Sequence, residues 1–96
     1  MQNKELPKYW MELYEIQEKK TLVNELLLEL CENHILTNKT INAFARRYDN
    51  DEVVFKIDNG QYALVNLTWS GKKEINKDFP YTEIFNDFNS LIENLE

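Results

Sequence analysis

The chain has 96 residues, of which 43% are hydrophobic, and a single cysteine, Cys31. A chain of this length accommodates one domain with one core, which we assign to residues 1–96, and a lone cysteine excludes an internal disulfide. The net charge of −6, carried mainly by the two ends of the chain, repels nucleic-acid backbones and favours a basic protein as partner.

Residues from Pro7 to about Asn33 are predicted to be helical. Proline suits the first turn of a helix, where its missing N–H group costs no hydrogen bond. Apolar residues follow at helical spacing in two groups: Trp10, Leu13 and Tyr14, then Val23, Leu26, Leu27, Leu30 and Cys31. This stripe indicates core packing, with Cys31 as a small core residue. It weakens at residues 18–20, and Thr21 is a suitable N-cap, so one bent helix and two short helices are both compatible with the pattern.

From Thr40 the apolar residues recur at every second position, which is the period of a β-strand. They form a first strand and, after the turn-rich acidic residues 48–51, a second strand: Ile41, Ala43 and Ala45, then Val53, Phe55 and Ile57. A third strand follows a tight turn and ends at Ser70-Gly71. These three segments predict an antiparallel meander.

The tight turn is the strongest local signal in the chain. Asn59-Gly60 supplies the two positive-φ residues of a type I′ turn, which joins antiparallel strands. A two-residue turn here predicts three pairs on one face of the hairpin: Ile57 with Tyr62, Phe55 with Leu64, and Val53 with Asn66. A shift of one residue would exchange the two faces. Both faces are partly apolar, so we expect the helical ends of the chain or a dimer partner to cover them.

The end of the chain is amphipathic. After a polar connection that reaches Pro80, seven apolar residues fall at helical spacing: Tyr81, Ile84, Phe85, Phe88, Leu91, Ile92 and Leu95. A helix either includes this whole segment or begins near Asn86 or Asp87, which are good N-caps, and leaves residues 81–85 extended. The predicted fold is α+β: an N-terminal helical region, a three-stranded antiparallel meander and a C-terminal helix.

The sequence contains no recognisable catalytic, cofactor-binding or metal-binding motif. The one histidine, His34, has only Cys31 three residues before it, and this pair is a poor metal site on its own. Residues 49–52 lack the glycine and the downstream glutamate of a calcium loop. We therefore predict no catalytic residue, no cofactor and no metal, and we interpret His34 as a structural residue at the end of a helix.

One weaker candidate is an anion-binding or ligand-binding patch made of His34, Arg46, Trp69 and Lys72. Arg46 and Lys72 follow the ends of the first and third strands, and the glycine-containing turn at residues 69–71 lies between them in the predicted meander. Such a turn with cations nearby can hold an anion. The alternative is that these cations are solvated charges that discourage pairing of strand edges.

Three stretches resemble a family of small uncharacterised bacterial proteins: residues 33–36 (Asn-His-Ile-Leu), 51–55 (Asp-Glu-Val-Val-Phe) and 63–71 (Ala-Leu-Val-Asn-Leu-Thr-Trp-Ser-Gly). The last part of the third stretch, followed by Glu74 and Phe79-Pro80, is the most distinctive. The family pattern often has histidine where this chain has Asn66, so a role of that histidine does not carry over. The resemblance covers residues 33–85. It implies a bacterial source and agrees with the strands, and it implies no activity.

Two functions are compatible with these observations. The first is a small acidic module that binds a basic protein, as immunity or antitoxin proteins do, with Glu25, Glu29 and Glu32 on its docking face. The second is a small-molecule or minor enzymatic site between sheet and helices near His34, Arg46 and Trp69. With no signal peptide and no apolar run of about 20 residues, we expect a cytoplasmic protein, monomeric or homodimeric, that binds neither nucleic acid nor membrane.

Overall fold

The computed structural model describes residues 5–95. In chain order its elements are β1 (Trp10–Glu12), α1 (Ile16–Glu29), β2 (Asn42–Arg47), β3 (Glu52–Lys56), β4 (Tyr62–Asn66), β5 (Tyr81–Phe85) and α2 (Phe88–Leu95). The strands form one antiparallel sheet of five strands in the spatial order β1-β2-β3-β4-β5. The α+β class is confirmed. The predicted three-stranded meander is wrong, because β1 and β5 extend it on both sides.

The N-terminal helix is shorter than predicted because residues 10–12 form β1. Trp10 packs on one face of the sheet and Leu13 on the other, while Tyr14 is 78% exposed. Their helical spacing is therefore coincidental. Tyr9 also has a φ of 76°, which an α-helix does not allow. A single helix, α1, follows, and Thr21 lies inside it with its hydroxyl donating to the Gln17 carbonyl at 3.0 Å.

The C-terminal segment follows the second of the two predicted alternatives. Residues 81–85 are extended and pair with β4. The helix α2 begins at Phe88, where the carboxylate of Asp87 accepts a hydrogen bond of 2.8 Å from the Ser90 N–H group. This is the bond expected of an N-cap residue, and hydrogen bonding from Ser90 lowers the pKa of Asp87.

The turn between β3 and β4 contains the positive-φ pair that the sequence predicts. The φ angles of Asn59 and Gly60 are 63° and 76°, and the Gln61 N–H group donates to the Asp58 carbonyl at 3.3 Å. The Ile57 N–H group also donates to the Gln61 carbonyl, at 2.9 Å. Ile57 and Asp58 thus both oppose Gln61, which is the arrangement of a β-bulge.

This bulge shifts the register of the hairpin by one residue from the predicted one. The observed pairs are Glu52 with Asn66, Val53 with Val65, Val54 with Leu64, Phe55 with Ala63, and Lys56 with Tyr62. Since side chains alternate along a strand, the shift exchanges the two faces of β4. A second irregularity lies in β2 at Phe44 and changes the face to which the following side chains point. Ala43 and Ala45 therefore face opposite sides of the sheet, although the sequence pattern predicts the same side.

Each face of the sheet is covered by one helix. The first core lies beneath α1 and consists of Leu13, Leu22, Leu26, Leu30, Leu36, Ala43, Val53, Phe55, Ile57, Ala63, Val65 and Leu67. The second lies beneath α2 and is built around Trp10, Ala45, Val54, Leu64 and Leu91. The helices thus supply the cover that the apolar hairpin requires. Neither helix in residues 5–95 is long and apolar enough to cross a membrane.

Candidate functional site

A buried carboxylate joins the end of α1 to the loop that follows β4. Glu29 is the last residue of α1 and is fully buried. Its Oε1 atom accepts a hydrogen bond from the Thr68 N–H group at 3.0 Å, and its Oε2 atom accepts one from the Trp69 N–H group at 2.9 Å. Its backbone carbonyl accepts a third, from the Glu74 N–H group at 3.0 Å. These bonds fix the loop against the helix.

The loop after β4 has the backbone conformation of an anion-binding site. Trp69 and Gly71 have φ angles of 56° and 69°, so successive N–H groups turn toward the same side. The Gly71 N–H group donates to Oε2 of Glu25 at 3.0 Å. The acceptors at this turn are therefore the carboxyl groups of two residues of α1, Glu25 and Glu29. The sequence predicted an anion-binding or ligand-binding patch here, with solvated edge charges as the alternative, and in the structure these N–H groups donate to side chains of the chain itself.

A third carboxylate, that of Glu74, lies on the outer side of the same loop. It accepts hydrogen bonds from the hydroxyl groups of Thr68, at 2.8 Å, and Ser70, at 2.9 Å. The Thr-Trp-Ser-Gly stretch thus binds carboxylates with both its backbone and its side chains. This network explains why a loop with no regular secondary structure has a defined conformation.

The pKa of Glu29 is raised from 4.5 to about 7, mainly by burial. The hydrogen bond between its side chain and that of Glu25 contributes to this increase, because the shared bond requires a proton. The N–H groups of Thr68 and Trp69 act in the opposite direction, since they stabilise the ionised form. Glu29 consequently exchanges its proton near neutral pH.

His34 joins a second pair of loops. It is 5% exposed, and its Nδ1 atom accepts a hydrogen bond from the Leu36 N–H group at 3.0 Å. Because Nδ1 is an acceptor, the ring proton is on Nε2, which donates to the Pro80 carbonyl at 2.9 Å. The hydroxyl of Thr82 lies 3.4 Å from the same nitrogen. The histidine holds the segment after α1 against the beginning of β5.

We expect His34→Ala to lower the free energy of unfolding by about 2 to 3 kcal/mol, because the Leu36 N–H group and the Pro80 carbonyl would both lose a buried partner. Urea denaturation measures this change. The control is Asn33→Ala, an exposed neighbour whose replacement should change stability by no more than about 0.5 kcal/mol. Equal stability of the two variants would show that these bonds do not hold the segments together.

The four residues of the predicted patch do not form one site. Arg46 contacts Glu18, at 3.2 Å from Nη1, and stacks on Tyr48. Glu18 lies near the start of α1 and Glu29 at its end, roughly 16 Å away at 1.5 Å per residue. Arg46 is therefore at the opposite end of the helix from Trp69. Trp69 and Lys72 share the loop after β4, and His34 lies in the segment after α1.

The predicted acidic docking face does not form either. Of its three members, Glu29 is buried and Glu25 is bound to Gly71, so only Glu32 remains fully available to a partner. The sequence does contain a signal for the burial of Glu29. This residue follows Leu22 and Leu26 by seven and three positions, which places it on the core-facing stripe of α1.

Cys31, predicted to be a core residue, is half-buried.

The two anchored segments together form an exposed surface, which we call the loop surface (residues 31–35 and 73–82). It contains two adjacent clefts of about 610 and 620 Å³ that share Asn33 and Lys77 as lining residues. Four large apolar side chains on this surface are exposed: Ile35, Ile75, Phe79 and Tyr81. Ile75 has no protection from solvent at all. Ile75 lines one of the two clefts, and Ile35 and Tyr81 line the other.

In residues 5–95 no group of three or more histidine, cysteine, aspartate or glutamate side chains is arranged to hold a metal ion. Comparison of the chain with protein-family models, with curated proteins and with solved structures found no match.

Proposed function

We propose that this chain is a small, acidic, non-catalytic protein-binding module of the bacterial cytoplasm, comparable in kind to an immunity or antitoxin protein, and that the loop surface contacts its partner. One observation carries the proposal: Ile35, Ile75 and Tyr81 are exposed on segments that Glu29 and His34 anchor from inside. Exposed apolar groups on a fixed backbone are typical of interaction sites.

The composition of the loop surface supports this proposal. Five charged residues line the clefts beside these apolar side chains: Glu32, Lys73, Glu74, Lys77 and Asp78. Apolar anchors inside a charged rim are typical of protein interfaces. Anchoring reduces the conformational entropy that the two segments lose on binding, which favours affinity.

The charge of the whole chain supports a basic partner. The rim of the loop surface contains two lysines and three acids, so its local charge is nearly balanced. The net charge of −6 acts over a longer range and accelerates the approach of a basic protein. Association should therefore slow as the salt concentration rises, while the apolar contacts persist.

Replacement of Ile75 by serine tests the proposal. Three tagged proteins are used as baits in bacterial lysate at low and high salt: the wild type, the Ile75→Ser variant and the control Leu27→Ser. Leu27 is exposed and lines neither cleft. We expect one stoichiometric basic protein to bind the wild type and the control, and Ile75→Ser to weaken its binding at least about tenfold, as loss of an interface anchor does.

Circular dichroism and thermal unfolding of all three proteins establish that the variants fold. If Ile75→Ser and Leu27→Ser retain the partner equally, the loop surface is not the docking site. If the wild type enriches no protein under either condition, the chain is not a protein-binding module in that lysate, and the proposal fails.

A further inference from the structure

A separate cleft of about 560 Å³, the α1–β2 groove, lies near the beginning of α1 between this helix and β2. Its floor is apolar and contains Leu13, Val23, Ile41 and Ala43, with the exposed Ile16 at one end. A volume of this size is in the range of ligand-binding clefts, about 300 to 1,000 Å³. The groove is distinct from the loop surface, with which it shares no lining residue.

The groove contains more positive than negative side chains, although the chain as a whole is acidic. Lys19, Lys20 and Lys56 line it, against a single acid, Glu12. Among the residues that the structure describes, none of these lysines has a carboxylate within 4 Å, and the Nζ atom of Lys56 lies over the ring of Phe44 at 4.8 Å. Lys19 and Lys20 flank the apolar floor on the side of α1, while Lys56 lies with Phe44 on the other face of the sheet. Lysines on both sides of an apolar groove are complementary to a ligand with both carboxylates and apolar groups.

The same groove contains a short unpaired stretch of the edge of β2, at which Asn42 is exposed and Ala43 is buried. β1 pairs only with residues 45–47 of β2. The Leu13 N–H group, just after β1, donates to the Phe44 carbonyl at 2.8 Å, and beyond this bond the chain leaves the edge of the sheet. Asn42 and Ala43 pair with β3 on one side. In the described chain no strand pairs with their other side. An edge of this kind accepts a further strand from another chain.

We propose that the α1–β2 groove binds an extended acidic segment of a partner protein, which adds to the outer edge of β2 where β1 ends. In a strand, alternate side chains point to opposite faces of the sheet, so carboxylates on the side of α1 can meet Lys19 and Lys20 while apolar side chains on the other side lie beside Phe44. The dimensions agree: the helical stripe from Ile16 to Asn24 spans about 12 Å, and four extended residues span about 13 Å. This inference goes beyond the proposed function, because it uses another surface.

A synthetic peptide of alternating valine and glutamate, labelled with fluorescein, serves as the probe. We expect it to bind the full chain, and we expect Lys20→Glu to weaken binding at least about tenfold. The control Lys39→Glu makes the same charge change at a residue that does not line the groove and should weaken binding less than about threefold, since an exposed charge that does not contact the peptide is partly screened. In ¹⁵N-labelled protein, the amide signals of Asn42 and Ala43 should shift on titration.

Two comparisons make the test decisive. A peptide in which lysine replaces glutamate should not bind, and dodecanoate, a single-chain carboxylate, should not displace the acidic peptide. Four results would each overturn the proposal. They are equal effects of Lys20→Glu and Lys39→Glu, signal shifts confined to the loop surface, absence of peptide binding, and binding of dodecanoate in place of the peptide. Thermal unfolding of both variants verifies that they fold.

Discussion

Glu29→Ala should lower the free energy of unfolding at pH 5.5 by about 3 kcal/mol and release the loop after β4. The Thr68 and Trp69 N–H groups would lose their acceptors at 3.0 and 2.9 Å, and a partly buried donor without a partner costs about 1 to 3 kcal/mol. The hydrogen bond between Glu25 and Glu29 would be lost as well. No other side chain in the described part of the loop accepts from these two groups.

Urea denaturation measures the stability, and amide hydrogen exchange at residues 68–71 measures the order of the loop. The matched control is Glu32→Ala, which removes an exposed glutamate of the same region and should change stability by no more than about 0.5 kcal/mol. Wild-type stability and slow exchange in Glu29→Ala would mean that the carboxylate does not organise the loop.

The stability of the wild type should fall as pH rises from about 4.5 to about 7. In this window the folded chain keeps a proton on Glu29, whose pKa is raised to about 7, and the unfolded chain releases it at the ordinary pKa of 4.5. The folded state therefore binds more protons, and each pH unit lowers the free energy of unfolding by up to about 1.4 kcal/mol. The total decrease from this group is about 3 kcal/mol.

The control is Glu29→Gln, which keeps the shape of the side chain and does not titrate. Urea denaturation of both proteins at pH 4.5, 5.5, 6.5 and 7.5 should give a difference that depends on pH in this window only. Hydrogen bonds from Arg47 and Ser90 lower the pKa values of Asp49 and Asp87. The stabilisation by these two residues is complete above their usual pKa, so it changes with pH only below this window. Parallel curves for the two proteins would contradict a raised pKa at Glu29.

Local sequence signals predicted the elements whose geometry depends on neighbouring residues. The Asn59-Gly60 turn, the strand positions around Phe55 and the capping of α2 by Asp87 all follow from a few adjacent residues. The three-residue strand β1 was not predictable in this way. Its one buried residue, Trp10, has helical spacing to Leu13, and only its pairing with β2 makes it a strand.

The site was less predictable than the fold because its partners are distant in the chain. Glu29 and Thr68 are 39 residues apart, and His34 and Pro80 are 46 residues apart. The sequence offered the turn at Trp69-Ser70-Gly71 only as part of a weaker anion-binding candidate, and the carboxyl groups that its N–H groups contact depend on how the loop packs against α1. The bulge at Ile57 and Asp58 could likewise not be predicted from the sequence, since one extra residue changes the register without changing the turn residues.

The two cores on opposite faces of the sheet affect how relatives of this chain would diverge. β3 and β4 each bury three consecutive residues, Val53-Val54-Phe55 and Ala63-Leu64-Val65, and polar residues occur only at strand ends, such as Glu52 and Lys56. Substitution should be tolerated at those ends and confined to apolar exchange within the triplets. Two short unbroken apolar triplets separated by an Asn-Gly turn would therefore persist in distant descendants after the surface had changed completely.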